Sequence, residues 1–406
     1  MTGTNRSYFL LLNVGHFLDH FFMLIFATAA ALALAGEWQM SYAQLIPYAT
    51  PGFIAFGVGA LPAGWLADKW SRDGMMCLFF FGIGVSSILC GLAQSPVQIS
   101  VGLLLVGLFG AIYHPVGLAI VTLRWKNIGM RIAVNGVWGN LGVGGAALLT
   151  GILISTVNWR AAFILPGVFA ILTGLLYLRV AAAVSNITPT ATSARKTAGV
   201  FVRHIKRVSA IIFVSAALGS ITFQSTTFAL PKVFDERLDA ISRGLAGHLG
   251  AEAAAVIGGL TFLVFACASL AQLLVGLSLD RFQTRIVFQA VAAFQCVLFL
   301  IMPGLEGWAA YAVALGFMLG VFGQIPINDF LIGQLATGPY RARVYGVRYV
   351  VSFSVLALSL PLIAWIHAHW GFDRLFWILA ATAAAVFAVV SLLPTDAKSK
   401  RISTTT

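Results

Sequence analysis

The sequence predicts an all-α membrane protein: twelve transmembrane helices in two six-helix bundles related by a pseudo-two-fold axis. Three observations predict it. Hydrophobic residues make up 60% of the 406 and charged residues only 9%, with a mean hydropathy of +0.93. Many apolar runs of ~20 residues at such a composition exclude a soluble globular protein. Finally, motifs of the first half recur in the same order in the second, as in parallel-repeat transporters.

The first apolar run, 8–35, follows a short polar start and is too long for the core of a signal peptide, so it should persist as a helix. It contains Asn13, His16, Asp19 and His20. At about 100° per residue these four share roughly a third of the helix circumference. A carboxylate near mid-bilayer costs several kcal/mol unless it faces protein or water. The stripe is therefore expected to face inward, on a substrate or ion pathway, although a polar stripe also serves simply to bond neighbouring helices.

The second and third runs, 43–66 and 74–93, are joined by Gly64-Trp65-Leu66-Ala67-Asp68-Lys69-Trp70-Ser71-Arg72. The fourth, 97–122, carries Tyr113-His114-Pro115. Pro115 removes one helical hydrogen bond and frees a carbonyl. Nine residues at 1.5 Å each place both His16 and His114 roughly 13 Å deep from the same side, so the three histidines and Asp19 could meet. The fifth run, 132–156, opens at Arg131…Gly136 and holds Asn135 and Gly139-Asn140-Leu141-Gly142. Asn135 and Asn140 are candidates to line a cavity; the glycines suit close helix packing. The sixth, 160–182, opens at Trp159-Arg160.

A stretch rich in Ser, Thr, Arg and Lys then separates the halves. The expected organisation is a first bundle over 1–183, a linker over 184–207, a second bundle over 208–395 and a tail over 396–406.

In the second half the runs are 208–231, 254–278, 286–303, 308–333, 343–367 and 372–393. Gln224, with Ser225 and Thr226, offers polar groups from the seventh. Apolar residues from Val233 to Leu249 recur at helical spacing between charges, predicting a short surface helix. Gly276-Leu277-Ser278-Leu279-Asp280-Arg281-Phe282 ends the eighth run, its acid 212 residues after Asp68. On the tenth, Gln324 and Asn328 share a face and Asp329 stands aside. The eleventh opens at Arg341…Gly346, 210 residues after Arg131, and holds Arg348. Arg348 fits an anion site and an ion pair with Asp329 equally well. Asp373-Arg374 opens the twelfth.

Of the 25 Lys and Arg, nineteen fall on one side if the N-terminus is inside, five on the other, and Arg348 within a helix. That bias places both termini in the cytoplasm. Trp38, Trp159, Trp308 and Trp370 fall at the outer boundary, as an interfacial belt does. The net charge of +12 does not indicate nucleic acid, because the basic residues are scattered through short loops without a binding motif. Cys77, Cys90, Cys267 and Cys296 stand singly in apolar runs, without a metal or disulfide pattern.

The Gly64-to-Arg72 turn, its counterpart at Asp280 and the six-helix repeat resemble the major facilitator superfamily over essentially the whole chain. The resemblance implies alternating access by two rocking bundles, with spans one, four, seven and ten lining the cavity. It also implies a cytoplasmic-side lock in which Asp68 engages the start of the eleventh span, with Arg72, Asp280, Arg281 and Asp329 in the gating set. A helix N-terminus attracting an acid makes that lock physically reasonable. Gly15-His16…Asp19, Tyr113-His114-Pro115 and Gly139-Asn140-Leu141-Gly142 resemble the fosmidomycin-resistance group of drug exporters. Here the histidine precedes the acid by three positions, Tyr replaces Phe, and Gly144-Gly145-Ala146-Ala147 stands where exporters carry a Gly-Pro pair.

The expected function is secondary transport of a small organic solute, coupled to protons and directed to export of a drug-like or anionic compound. A carboxylate beside imidazoles gives groups that exchange protons near neutral pH, as a relay requires. His16, Asp19, His20 and His114 could instead ligate a transition metal, making the cargo a metal ion or chelate. A receptor on a transporter scaffold is the remote alternative. No phosphate loop, nucleophile elbow or zinc-protease motif points to an enzyme, and no cofactor is implied. The expected setting is the bacterial inner membrane, as a monomer, with solute, protons and lipid as partners.

Overall fold

Hydrocarbon offers no hydrogen bonds to a peptide group, so a chain this apolar must pair its backbone within helices. The computed structural model describes residues 3–125, 128–184, 205–335 and 341–394, except the side chains at 3, 128–129, 205–206, 280, 329, 332–335, 341–354 and 356–357. Among the described residues there is no strand.

Among the described residues, eleven helical segments are long and apolar enough to cross a membrane. The first ten are Thr4–Glu37, Tyr42–Lys69, Arg72–Gly91, Pro96–Arg124, Met130–Thr156, Ala161–Val184, Arg207–Arg237, Ala253–Leu279, Thr284–Ile301 and Gly307–Asn328. The last helical run, Arg341–Val390, contains Gly371 at φ 68° and ψ −174°. Only glycine occupies that region without strain. Gly371 therefore divides the run into an eleventh and a twelfth helix, matching the twelve apolar runs of the sequence.

Two local departures from regular helix stand out. Ala30–Leu34 forms a π-helical turn near the far end of the first span. The fourth span breaks between Gly110 and Tyr113. Pro115 has no N–H for the carbonyl four residues back, which is that of Ala111, so the break falls where the sequence frees a carbonyl. The surface helix is Asp239–Leu249. It is shorter than the apolar spacing suggested, because Val233 to Arg237 continue the seventh span.

In the first half, span one packs on five and six, three on four and six, and two on four. In the second, eight packs on ten, while seven and nine pack on the last helical run. The halves meet where span five lies along eight and span two along the last run.

They also meet at the face opposite the N-terminus. There Tyr42 of span two sets its ring edge-on to His367, centroids 5.5 Å apart. His367 Nε2 lies 2.9 Å from Glu236 Oε1 at the end of span seven. Phe53 and Phe228 meet edge-on beside it at 6.0 Å. Removing the central ring by Tyr42→Ala should loosen this face. The expected result is a longer distance between spin labels on the exposed positions Gln39 and Ala368 than in the wild type.

At the N-terminal face Asp73 accepts hydrogen bonds from the hydroxyls of Tyr8 and, at 2.7 Å, Tyr177. Arg124 lies over the Tyr8 ring and donates to the Val184 carbonyl at 2.6 Å. Spans one, three, four and six are tied together there, so the polar stripe of span one is held at a fixed rotation.

Candidate functional site

That rotation aims the stripe at spans four and five. Asn13 is 3% exposed, His16 6% and Asp19 0%, while His20 is half-buried. His16 Nδ1 lies 2.7 Å from the backbone carbonyl oxygen of Asn135. A carbonyl only accepts, so Nδ1 carries the proton and Nε2 keeps its lone pair. Nε2 is buried and has no hydrogen-bond partner among the described residues.

Tyr113 fixes the ring from the other side. It stacks on His16 at 4.8 Å and 15°, and its hydroxyl donates to the Leu12 carbonyl at 2.7 Å. Asn135 Nδ2 donates to Asn13 Oδ1 at 2.9 Å and to the Tyr113 hydroxyl at 2.8 Å. One asparagine on span five thus organises span one and span four together. Asn135→Leu keeps the bulk but strands Asn13 Oδ1 and takes one of the two hydrogen bonds of the Tyr113 hydroxyl. Its expected cost is about 1–3 kcal/mol, read as a lower melting temperature of the purified protein.

Two glycines of span five make this approach possible. A Cβ on Gly139 would stand 2.7 Å from His16 Cε1 and Nε2. One on Gly142 would stand 2.2 Å from the Phe17 backbone oxygen. Small residues let helix backbones come this close.

Next to His16 lies the acid. His114 Nε2 is 3.3 Å from Asp19 Oδ2, with 19% of the His114 side chain and none of the Asp19 side chain exposed. Neither carboxylate oxygen of Asp19 accepts a hydrogen bond of good geometry. The contact is therefore an ion-pair approach rather than an aligned hydrogen bond. Phe56 closes the far side of His114 edge-on at 6.1 Å.

The structure thus brings together Asn13, His16, Asp19, His20, His114 and Asn135. Asn140 is buried on span five but adds no hydrogen bond to this network. The remaining candidates lie elsewhere. Gln324 is 4% exposed and accepts from Gln295 Nε2 at 3.2 Å. Gln324 Nε2 and Asn328 Oδ1 are buried without a hydrogen-bond partner among the described residues. Gln224 is half-buried on span seven. Asp68 bonds Arg72 at 2.6 Å one turn away, both largely exposed, and Arg281 is exposed. The side chains of Asp280, Asp329 and Arg348 lie outside those described.

Tyr113 stands in the sequence motifs only as the neighbour of His114, without a role, and Asp73, Gln295 and the Tyr42–His367–Glu236 contact are not singled out there. Tyr113 had one available signal: an aromatic residue beside a mid-membrane His-Pro pair, at the depth of His16.

Residues 12–264 match the family described as Major Facilitator Superfamily. The chain is 30% identical over 161 residues to a tetracenomycin C resistance and export protein of Streptomyces glaucescens, 37% of this chain and 30% of that one. It is 27% identical over 139 residues to a gallate transporter of Pseudomonas putida, 34% of this chain and 31% of that one. The aligned stretches thus span about a third of the length of these curated relatives. The crystal structure of a D-xylose-proton symporter superposes with a TM-score of 0.72 at 14% identity, covering 97% of this chain and 99% of that one.

Proposed function

Since the chain belongs to the Major Facilitator Superfamily, and is an integral membrane transporter rather than an enzyme, we propose that it moves a small organic solute by alternating access, driven by protons that load at Asp19 through His114. The observation that carries this reading is a wholly buried carboxylate whose ionic partner is a part-exposed imidazole on another span. A mid-membrane acid so placed is a functional group by default, because burying its charge is costly. Protonation by way of His114 removes that charge, and its return is linked to opening of the site. The nearby amides of Asn13 and Asn135 hold the two helices in register for that exchange.

The solute class is a drug-like or anionic organic compound, and the direction is export. The likeness to a resistance and export protein and to a gallate transporter supports that reading. The bundles 1–183 and 208–395 rock about the contacts of span five with eight and span two with eleven. The chain sits in the bacterial inner membrane with both termini in the cytoplasm, a placement supported by the distribution of Lys and Arg. Asp68 and Arg72 act in the cytoplasmic-side lock.

The test is solute flux into proteoliposomes across a panel of aromatic, anionic and drug-like compounds, with and without an imposed pH gradient. The reading requires at least one compound whose accumulation follows the gradient and collapses with a protonophore. Accumulation of every transported compound at the same level without a gradient would remove proton coupling.

A further inference from the structure

We propose that His16, His20 and His114 form a binding site for one divalent first-row transition-metal ion of the zinc type, with Asp19 supplying the compensating charge. The geometry comes first. One ligating nitrogen from each of the three histidines lies within 4.8 Å of the others. A zinc ion bonded to imidazole nitrogens at about 2.0–2.1 Å in tetrahedral angles needs those nitrogens roughly 3.4 Å apart. Small ring rotations close that gap.

The rings are also set to converge. His114 meets His16 edge-on at 5.2 Å and 90°, and His20 edge-on at 5.3 Å and 79°. His16 and His20, one helical turn apart, tilt by 43° at 5.0 Å.

The second argument concerns the free nitrogen. A metal-bound histidine nearly always donates its other N–H to a carbonyl or carboxylate, which fixes the tautomer and the ring. His16 does this through Nδ1 to the Asn135 carbonyl. Its Nε2, buried and without a hydrogen-bond partner, would otherwise carry an uncompensated desolvation cost. A metal ion satisfies it.

Charge and access agree. Three imidazoles and a carboxylate 3.3 Å from His114 Nε2 suit a divalent cation of borderline softness. His20 and His114 are half-buried rather than sealed, so an ion has a way in. Three protein ligands leave a coordination position open, which an anionic or chelating solute could fill. The site shares Asp19 and His114 with the proposed coupling pair, but it stands or falls on metal binding alone.

The experiment uses untagged full-length protein, chelator-treated, titrated with Zn²⁺ by calorimetry and with Co²⁺ by absorbance. The expected result is one ion per chain and visible d–d bands of tetrahedral strength. His20→Gln and His114→Gln should each weaken binding at least ten-fold. Because a ligand substitution can also disturb folding, Gly139→Ala provides a second arm. It keeps every ligand but places a Cβ 2.7 Å from the His16 ring, so the rise in melting temperature on adding Zn²⁺ should be smaller than in the wild type even where the metal-free protein melts lower. Absence of binding by the wild type, or wild-type affinity in both histidine variants, overturns the site. Solute flux measured in chelator-treated vesicles separates the two claims: flux that follows the pH gradient without metal binding sinks only the metal site, and metal binding without such flux sinks only proton coupling.

Discussion

Asp19→Asn is expected to abolish accumulation driven by a pH gradient, a loss of well over ten-fold, which corresponds to more than about 1.4 kcal/mol. The amide keeps the size of the side chain but cannot gain or lose the charge that the proposed cycle depends on. His114 loses its ionic partner at 3.3 Å. Folding should survive, because a neutral amide costs less to bury than a carboxylate that accepts no aligned hydrogen bond. Flux in proteoliposomes and a melting curve on the same preparation check both halves of the expectation. A folded variant that still accumulates solute along the gradient would place the coupling step on another residue.

The second large effect concerns packing. Gly142→Ala should destabilise the protein by about 1–3 kcal/mol, the usual cost of overpacking a filled interface. Its Cβ would stand 2.2 Å from the Phe17 carbonyl oxygen. That atom is backbone, so spans one and five must separate rather than a side chain turn aside. The same interface carries the 2.7 Å contact from His16 to Asn135, so activity should fall with stability. Gly136→Ala is the matched control on the same helix, where a Cβ would meet nothing within 4 Å. It should be neutral or gain up to about 1 kcal/mol from helix propensity. Equal melting temperatures for the two alanine variants would show that the close approach of spans one and five is not limiting.

Much of the fold is legible in the sequence because the bilayer imposes a length and a composition on each span. The twelve apolar runs and the turn at Gly371 follow from that constraint. The polar face of span one is also legible, since burying Asp19 in hydrocarbon is expensive enough to fix which side turns inward. The partners of that face are not. Periodicity gives the rotation of one helix about its own axis, not its depth or angle against another. So the carbonyl that receives the His16 proton, and the amide that joins Asn13 to Tyr113, come from a residue more than a hundred positions away. Asp73 carries no sequence signal of its role, yet two tyrosines from distant spans donate to it. His367 and Glu236, in different spans of the second half, likewise gave no pattern that predicts their meeting beside Tyr42.

The most direct measurement is proton exchange on solute binding. Purified protein in weak buffer with a pH indicator, mixed with a transported compound, should change the free proton concentration by about one proton per chain in the wild type. Asp19→Asn, binding the same compound, should give no change. Identical signals from the two proteins would contradict the assignment of Asp19 as the group that links protons to solute.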